Sequence, residues 1–155
     1  MIVFIDSSIL GVLCNPNISS ENDKCQKWLY SLLARGSRVV TSYICDYEIR
    51  RSLTLALKQD RQINGLENLN DLSNVIEFLE VTNNVLYRAA EIWSEAQLQG
   101  QPTAPRQALD IDLIISAHYQ ILQEEYPGRY VVIATKNIKH LSRFSTARDW
   151  KDIKL

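Results

Sequence analysis

Ile2-Val3-Phe4-Ile5-Asp6-Ser7-Ser8 (IVFIDSS, residues 2–8) is a short apolar run, rich in β-branched side chains, that stops at an acid and two hydroxyls. Such a run reads as a strand buried on both faces, the kind found inside parallel sheets. Each of Asp6, Ser7 and Ser8 can cap a helix, and SILGVLC (8–14) supplies one before the break at Asn15-Pro16-Asn17. In open parallel sheets ligands bind beyond the carboxyl ends of the strands, so this polar cluster is both a fold signal and a candidate site.

Working outward, a helix capped by Ser19 or Ser20 runs through Trp28, Leu29, Leu32 and Leu33 and closes at Gly36, followed by a strand at Arg38 to Thr41. From Ser42 to about Asp60 the spacing of Cys45, Ile49, Leu53 and Leu57 is helical, and a second helix follows the Asn64-Gly65 turn signal up to Glu77. FLEV (78–81) reads as a strand, and Thr82 or Asn83 caps the helix of Leu86, Ala89, Ala90 and Trp93. Gly100 to Pro105 reads as a loop, LDIDLIISAHYQILQEEY (109–126) as a helix, and RYVVIAT (129–135) as a strand ending in Thr135-Lys136-Asn137. Helices separating strands throughout predict an α/β/α sandwich around a central, mostly parallel sheet of four to five strands. No linker divides residues 1–155, so one domain is expected.

The 155 residues are 46% hydrophobic and 23% charged, which argues against disorder. No apolar run approaches the ~20 residues of a membrane span, and the N-terminus lacks the basic region of a signal peptide. The odd cysteines Cys14, Cys25 and Cys45 have no metal-type spacing and read as reduced core thiols in a cytoplasm. His118 and His140 lack a partner at ligand spacing. Net charge is -1, so bulk electrostatic binding of nucleic acid is not expected. The distribution is uneven, however: residues 129–155 carry seven basic and two acidic groups, +5, against -6 for the first 128. Lys136, Lys139, His140 and Arg143 follow the last strand and could contact phosphates, although such a cluster also reads as a solvated face.

Asp6 alone reads as an N-cap. Glu48, in the helix after the second strand, alone reads as a surface partner of Arg51 at i+3. Asp110 and Asp112 open a helix, where the macrodipole favours acids. Capping suffices for Asp110, but Asp112 would lie beside Ile115 and Tyr119, a costly place for a carboxylate without a cation. Mg²⁺ or Mn²⁺, which take oxygen ligands, would compensate several such carboxylates together.

In order, these segments resemble the PIN-domain family of metal-dependent ribonucleases, which includes the VapC toxins of toxin–antitoxin systems. Asp6-Ser7-Ser8-Ile9-Leu10 is similar to the family's first-strand motif, Glu48 in SYICDYEIRR to its helical Glu, Asp112-Leu113-Ile114-Ile115-Ser116-Ala117 to its D-x-x-I-A-A helix, and Thr135-Lys136-Asn137 to its T-x-N or T-x-D strand end. The resemblance implies Asp6, Glu48 and Asp112 as catalytic metal ligands for Mg²⁺ or Mn²⁺, with Asp110 and Asn137 as further ligand candidates. Asn137 stands where some members carry a fourth acid, which weakens the case for a second metal. Ser8 and Thr135 become hydroxyls that hold the carboxylates, or simply a cap and a strand end. The implied activity is endoribonucleolytic hydrolysis of RNA, with a small antitoxin protein and a homodimer as partners. The competing reading is a catalytically weak PIN fold that binds RNA or protein. A haloacid-dehalogenase-type phosphatase would need a second Asp where Ser8 stands, and a response-regulator receiver a pair of adjacent acids.

Overall fold

β1 (Ile2–Ile5) is buried at all four positions because strands flank it on both sides and helices cover both its faces. It pairs in parallel with β2 (Arg38–Ser42) through Ile2–Arg38, Val3–Val39 and Phe4–Val40, and with β4 (Val131–Ala134) from Ile2–Val131 to Ile5–Ala134. β3 (Glu77–Leu79) and β5 (Ala147–Arg148) complete a sheet of order β3-β2-β1-β4-β5 in which every pairing is parallel. The computed structural model describes residues 1–17, 19–59, 64–102 and 110–154.

The crossover from β1 to β2 carries α1 (Ser7–Cys14) and α2 (Ser20–Ala34), and that from β2 to β3 carries α3 (Tyr43–Lys58) and α4 (Gly65–Leu72). The chain then reverses across the sheet through α5 (Asn83–Leu98) and α6 (Ile111–Glu125) into β4, and a short α7 (Ile138–Leu141) leads to β5. Right-handed crossovers in opposite directions place the two groups of helices on opposite faces. The packing agrees: α1 touches α2, α3 and α4, whereas α5 packs on α6 over Val85, Ala89, Ile92, Leu113, Ile114 and Ala117. The chain therefore forms the α/β/α sandwich read from its sequence. The direction of winding reverses between β1 and β4, and in open parallel sheets the carboxyl ends of such a pair are where a ligand crevice is expected.

Several boundaries move. β3 starts at Glu77 and stops at Leu79, because at the sheet edge it has only β2 to pair with and Arg38 grips Glu77 through bonds of 2.8–3.0 Å. α4 ends at Leu72 instead of reaching Glu77. α3 ends at Lys58, and the expected continuation to Asp60 lies outside the described residues, as do the loop beyond Pro102 and Leu109. α7, β5 and a 3-10 turn at Trp150–Asp152 were not expected, being too short to show a period. All three cysteines are free and buried, and burial pushes their thiols up to about 12. Among the described residues no helix is long and apolar enough to cross a membrane.

Candidate active site

Asp6 leaves β1 with extended backbone and becomes the N-cap of α1, so the capping role and a place at the sheet's carboxyl end coincide. Its Oδ1 accepts from Ser8 N (3.0 Å), Ser8 Oγ (2.6 Å) and Ile9 N (3.2 Å). Its Oδ2 accepts from Thr135 Oγ1, which follows β4, at 2.5 Å. Both hydroxyls also grip the loop after β4: Lys136 N donates to Ser8 Oγ (2.9 Å) and Asn137 N to Thr135 Oγ1 (2.8 Å). Ser8 and Thr135 thus clasp one carboxylate between two strand ends. Asp6 is 5% exposed, and burial raises its pKa despite these donors. A carboxylate offers about four lone-pair sites, so Oδ2 retains acceptor capacity that Oδ1 has spent.

Glu48 reaches this end of the sheet because α3 packs tightly on α1. A Cβ at Gly11 would stand 3.2 Å from Ile49 Cδ1, closer than ordinary contact, so glycine there lets the two helices approach. One turn before Gly11, Ser7 Oγ donates to Glu48 Oε2 at 2.5 Å. The ion pair with Arg51 does not form, and the Arg51 guanidinium lies 5.8 Å above the Tyr47 ring. Ser7 was missed as a functional side chain because a hydroxyl at a helix start is indistinguishable in sequence from a cap. Two residues from Glu48, Asp46 takes the bidentate ion pair, with both Arg50 contacts at 2.8 Å.

Asp112 enters from the opposite helical layer in the first turn of α6. Its Oδ2 accepts from Asn137 Nδ2 at 3.3 Å and lies 3.6 Å from His140 Nδ1. Burial raises its pKa, then Asp110; His140 opposes them, and Asp6 and Glu48 add further upward pressure. Asp112 therefore feels the charges of all the other candidate acids. Asp110 occupies the N-cap position, but its carboxylate makes no capping bond; its carbonyl accepts from Leu113 N at 3.2 Å.

The basic residues divide. Lys139, His140 and Arg143 line a pocket of about 240 Å³ together with Asp112, Pro102 and Phe144. Lys136 turns away and pairs with Glu21 of α2 at 3.0 Å, a contact no local spacing announces. His118 is a core residue, hydrogen-bonded through Nε2 to Ser42 Oγ at 2.8 Å, and burial lowers its pKa to about 4.

Among the described residues no three His, Cys, Asp or Glu side chains are gathered closely enough to hold an ion as they stand. The donor chemistry nevertheless fits Mg²⁺ or Mn²⁺. The acids offer only oxygens, repel one another at Asp112, and leave Asp6 Oδ2 with a spare lone pair. Mg²⁺ needs only one or two direct carboxylates and keeps several waters, so the remaining acids can act through water.

No curated protein matches the chain. Among solved structures it is similar to a chain of VapBC2 from Rickettsia felis, bound to a DNA fragment from their promoter, at 18% identity and TM-score 0.68, covering 97% of this chain and 99% of that one. VapBC-1 from nontypeable Haemophilus influenzae is similar at 19% identity and TM-score 0.67, covering 98% and 100%. DNA-bound VapBC from Salmonella typhimurium is similar at 15% identity and TM-score 0.60, covering 97% and 98%. These likenesses establish the fold. The PIN domain family profile matches residues 3–137, a span that runs from β1 through Asp6, Glu48, Asp112 and Thr135 to Asn137, and the chain belongs to the PIN domain family.

Proposed function

We propose that the protein is a Mg²⁺- or Mn²⁺-dependent endoribonuclease and the toxin of a toxin–antitoxin pair. The observation that carries this reading is the placement of three acids from three elements beyond the carboxyl ends of β1 and β4. Asp6 is clasped by Ser8 and Thr135, Glu48 is held by Ser7, and Asp112 is held by Asn137, its carboxyl raised by burial first, then by Asp110, with smaller pressure from Asp6 and Glu48. Acids gathered without a compensating cation are costly in a folded chain and acquire a use once a divalent ion joins them.

Asp6, Glu48 and Asp112 would hold the ion, directly or through water. When bound, it would lower the pKa of a coordinated water and draw off charge from the scissile phosphate. Thr135 and Ser8 fix the Asp6 carboxylate, Ser7 fixes that of Glu48, and Asn137 and His140 orient Asp112. Lys139 and Arg143, beside Asp112, would hold phosphate oxygens so that water attacks in line with the departing 3'-oxygen. The products would carry 5'-phosphate and 3'-hydroxyl ends.

The similar structures are VapBC assemblies, which supports an antitoxin partner for this chain. For a homodimer, the exposed face of α3, with Tyr47, Leu55 and Leu57, offers an apolar contact surface. The test is incubation with single-stranded RNA and Mg²⁺ or Mn²⁺, with and without a chelator, followed by end analysis. Cleavage that needs the ion and leaves 5'-phosphates supports the reading. If RNA stays intact at every metal concentration, the chain is a binding module and the nuclease reading fails.

A further inference from the structure

A cavity of about 470 Å³, twice the pocket beside Asp112, lies along α2 where the chain's last residues run against it. Its lining includes Lys24, Arg35, Lys151 and Lys154, all exposed, together with Trp28 and Trp150. Among the described residues no carboxylate pairs with any of these four cations; Lys151 Nζ stands 5.5 Å over the Trp150 ring. Of the nearby acids, Glu21 pairs with Lys136 and Asp23 with Lys27, Asp149 caps Lys151 N, and Asp152 is exposed on the turn between Lys151 and Lys154. The two tryptophans form a fixed floor: their rings stand 5.7 Å apart at 54°, and Trp28 Nε1 donates to Ile153 O at 3.1 Å. Trp150 is 5% exposed, and its indole N–H has no acceptor among the described residues.

A chain of contacts leads from the helix that lines the groove to Asp6. Glu21 in the first turn of α2 holds Lys136, whose backbone N–H donates to Ser8 Oγ, which in turn donates to Asp6. Lys24 begins the groove one turn further on, and Lys24 to Arg35 spans about 16 Å of helix. Cations without a carboxylate partner, spaced along a lining that includes the half-buried Trp28, match a single-stranded phosphodiester chain. An acidic peptide would use the cations but leave the tryptophan lining without a role, whereas a nucleic-acid strand offers bases to it.

We propose that the α2 groove binds the backbone of a single-stranded RNA strand leaving the Asp6–Asp112 crevice, and so sets how much RNA beyond the scissile bond contributes to binding. The position of the cut rests on the nuclease reading above; the groove itself does not. The experiment measures affinity of single-stranded RNA oligonucleotides of increasing length by fluorescence anisotropy, across a salt series, in the non-cleaving Asp112→Asn background. With the native groove, affinity should rise with length. With Lys24→Gln, Arg35→Gln, Lys151→Gln and Lys154→Gln combined, that gain should disappear, costing about 10- to 100-fold on long oligonucleotides, and the salt slope should fall by about 0.7 for each phosphate no longer neutralised. All four positions are exposed, so circular dichroism should match the parent; pairwise variants should give intermediate slopes. An unchanged length dependence and salt slope in the fourfold variant overturns the proposal. So does a variant that loses poly-glutamate binding while keeping RNA binding. If the wild-type chain never cleaves RNA yet shows the groove-dependent slope, the nuclease reading falls and the groove stands.

Discussion

Asp46 and Glu48 lie two residues apart on α3, and their surroundings differ in kind. Asp46 is buried and locked in a bidentate pair with Arg50, which also reaches Asn70. Glu48 faces α1, where its hydrogen bond comes from the neutral Ser7. The same contrast separates two regions of the molecule. At the sheet edge and between helices, acids meet arginines, as in Arg38–Glu77 and Arg88–Glu124. Beyond the carboxyl ends of β1 and β4, Asp6, Glu48 and Asp112 meet hydroxyls and amides, with His140 Nδ1 3.6 Å from Asp112. Paired acids hold the fold together, whereas Asp112, raised by burial and by neighbouring acids, weighs against it, a cost that the cation of the proposed function would relieve.

The largest effects should come from breaking the crevice. Asp6→Asn and Asp112→Asn should each reduce metal-dependent RNA cleavage by more than about 100-fold, beyond the usual cost of losing a residue that merely supports a ligand. Gel-based cleavage rates check this; a variant within a few-fold of wild type would remove that acid from the site.

His118 shares α6 with Asp112 and sharpens the comparison through pH. It is kept neutral, with its pKa at about 4 against an ordinary 6.5, so the unfolded chain takes up the proton first as pH falls. Its contribution should be intact above 6.5, fade between 6.5 and about 4, and amount to at most about 3 kcal/mol. Asp112 has the opposite sign: with its pKa raised, its contribution is fully present below the ordinary 3.8 and is lost as pH rises through the raised value. Urea denaturation of wild type and His118→Gln across pH 4 to 7 checks the first term, since the variant should lose less stability on acidification.

Thr135→Val should lower cleavage about 10- to 100-fold by freeing the Asp6 carboxylate, with Thr135→Ser restoring most of it. Asp46→Asn, by contrast, should cost about 1–2 kcal/mol of stability and leave cleavage intact, because its partner is an arginine of the fold. Smallest of all, Lys27→Ala removes an exposed helical pair with Asp23 and should change stability by no more than about 0.5 kcal/mol.

The buried strands were legible because four apolar residues followed by a polar stop leave little choice at β1 and β4. The three acids were legible as residues: Asp6 at the end of a strand, Asp112 in the first turn of a helix, and Glu48 within the helix after the second strand, which the family resemblance singled out. Their surroundings were not. Glu48 with Arg51 and Asp46 with Arg50 are equally good helical pairs by spacing, and only the packing of α1 on α3 at Gly11 decides which acid turns to the crevice. The Lys136–Glu21 pair and the Trp28–Trp150 contact join residues distant in sequence, and β5 is only two residues long. Such features arise from tertiary placement and carry no local period.

The central claim is that the crevice acids are a liability alone and a ligand set with a divalent ion. Thermal unfolding of wild type and Asp112→Asn as a function of Mn²⁺ concentration tests it most directly, since an ion that binds only the native state raises its midpoint. Without metal the variant should melt higher, because one repelling charge is gone; with rising Mn²⁺ the wild-type midpoint should climb and overtake a variant that barely responds. A wild-type midpoint indifferent to Mn²⁺, or a variant that climbs with it equally, would contradict the account.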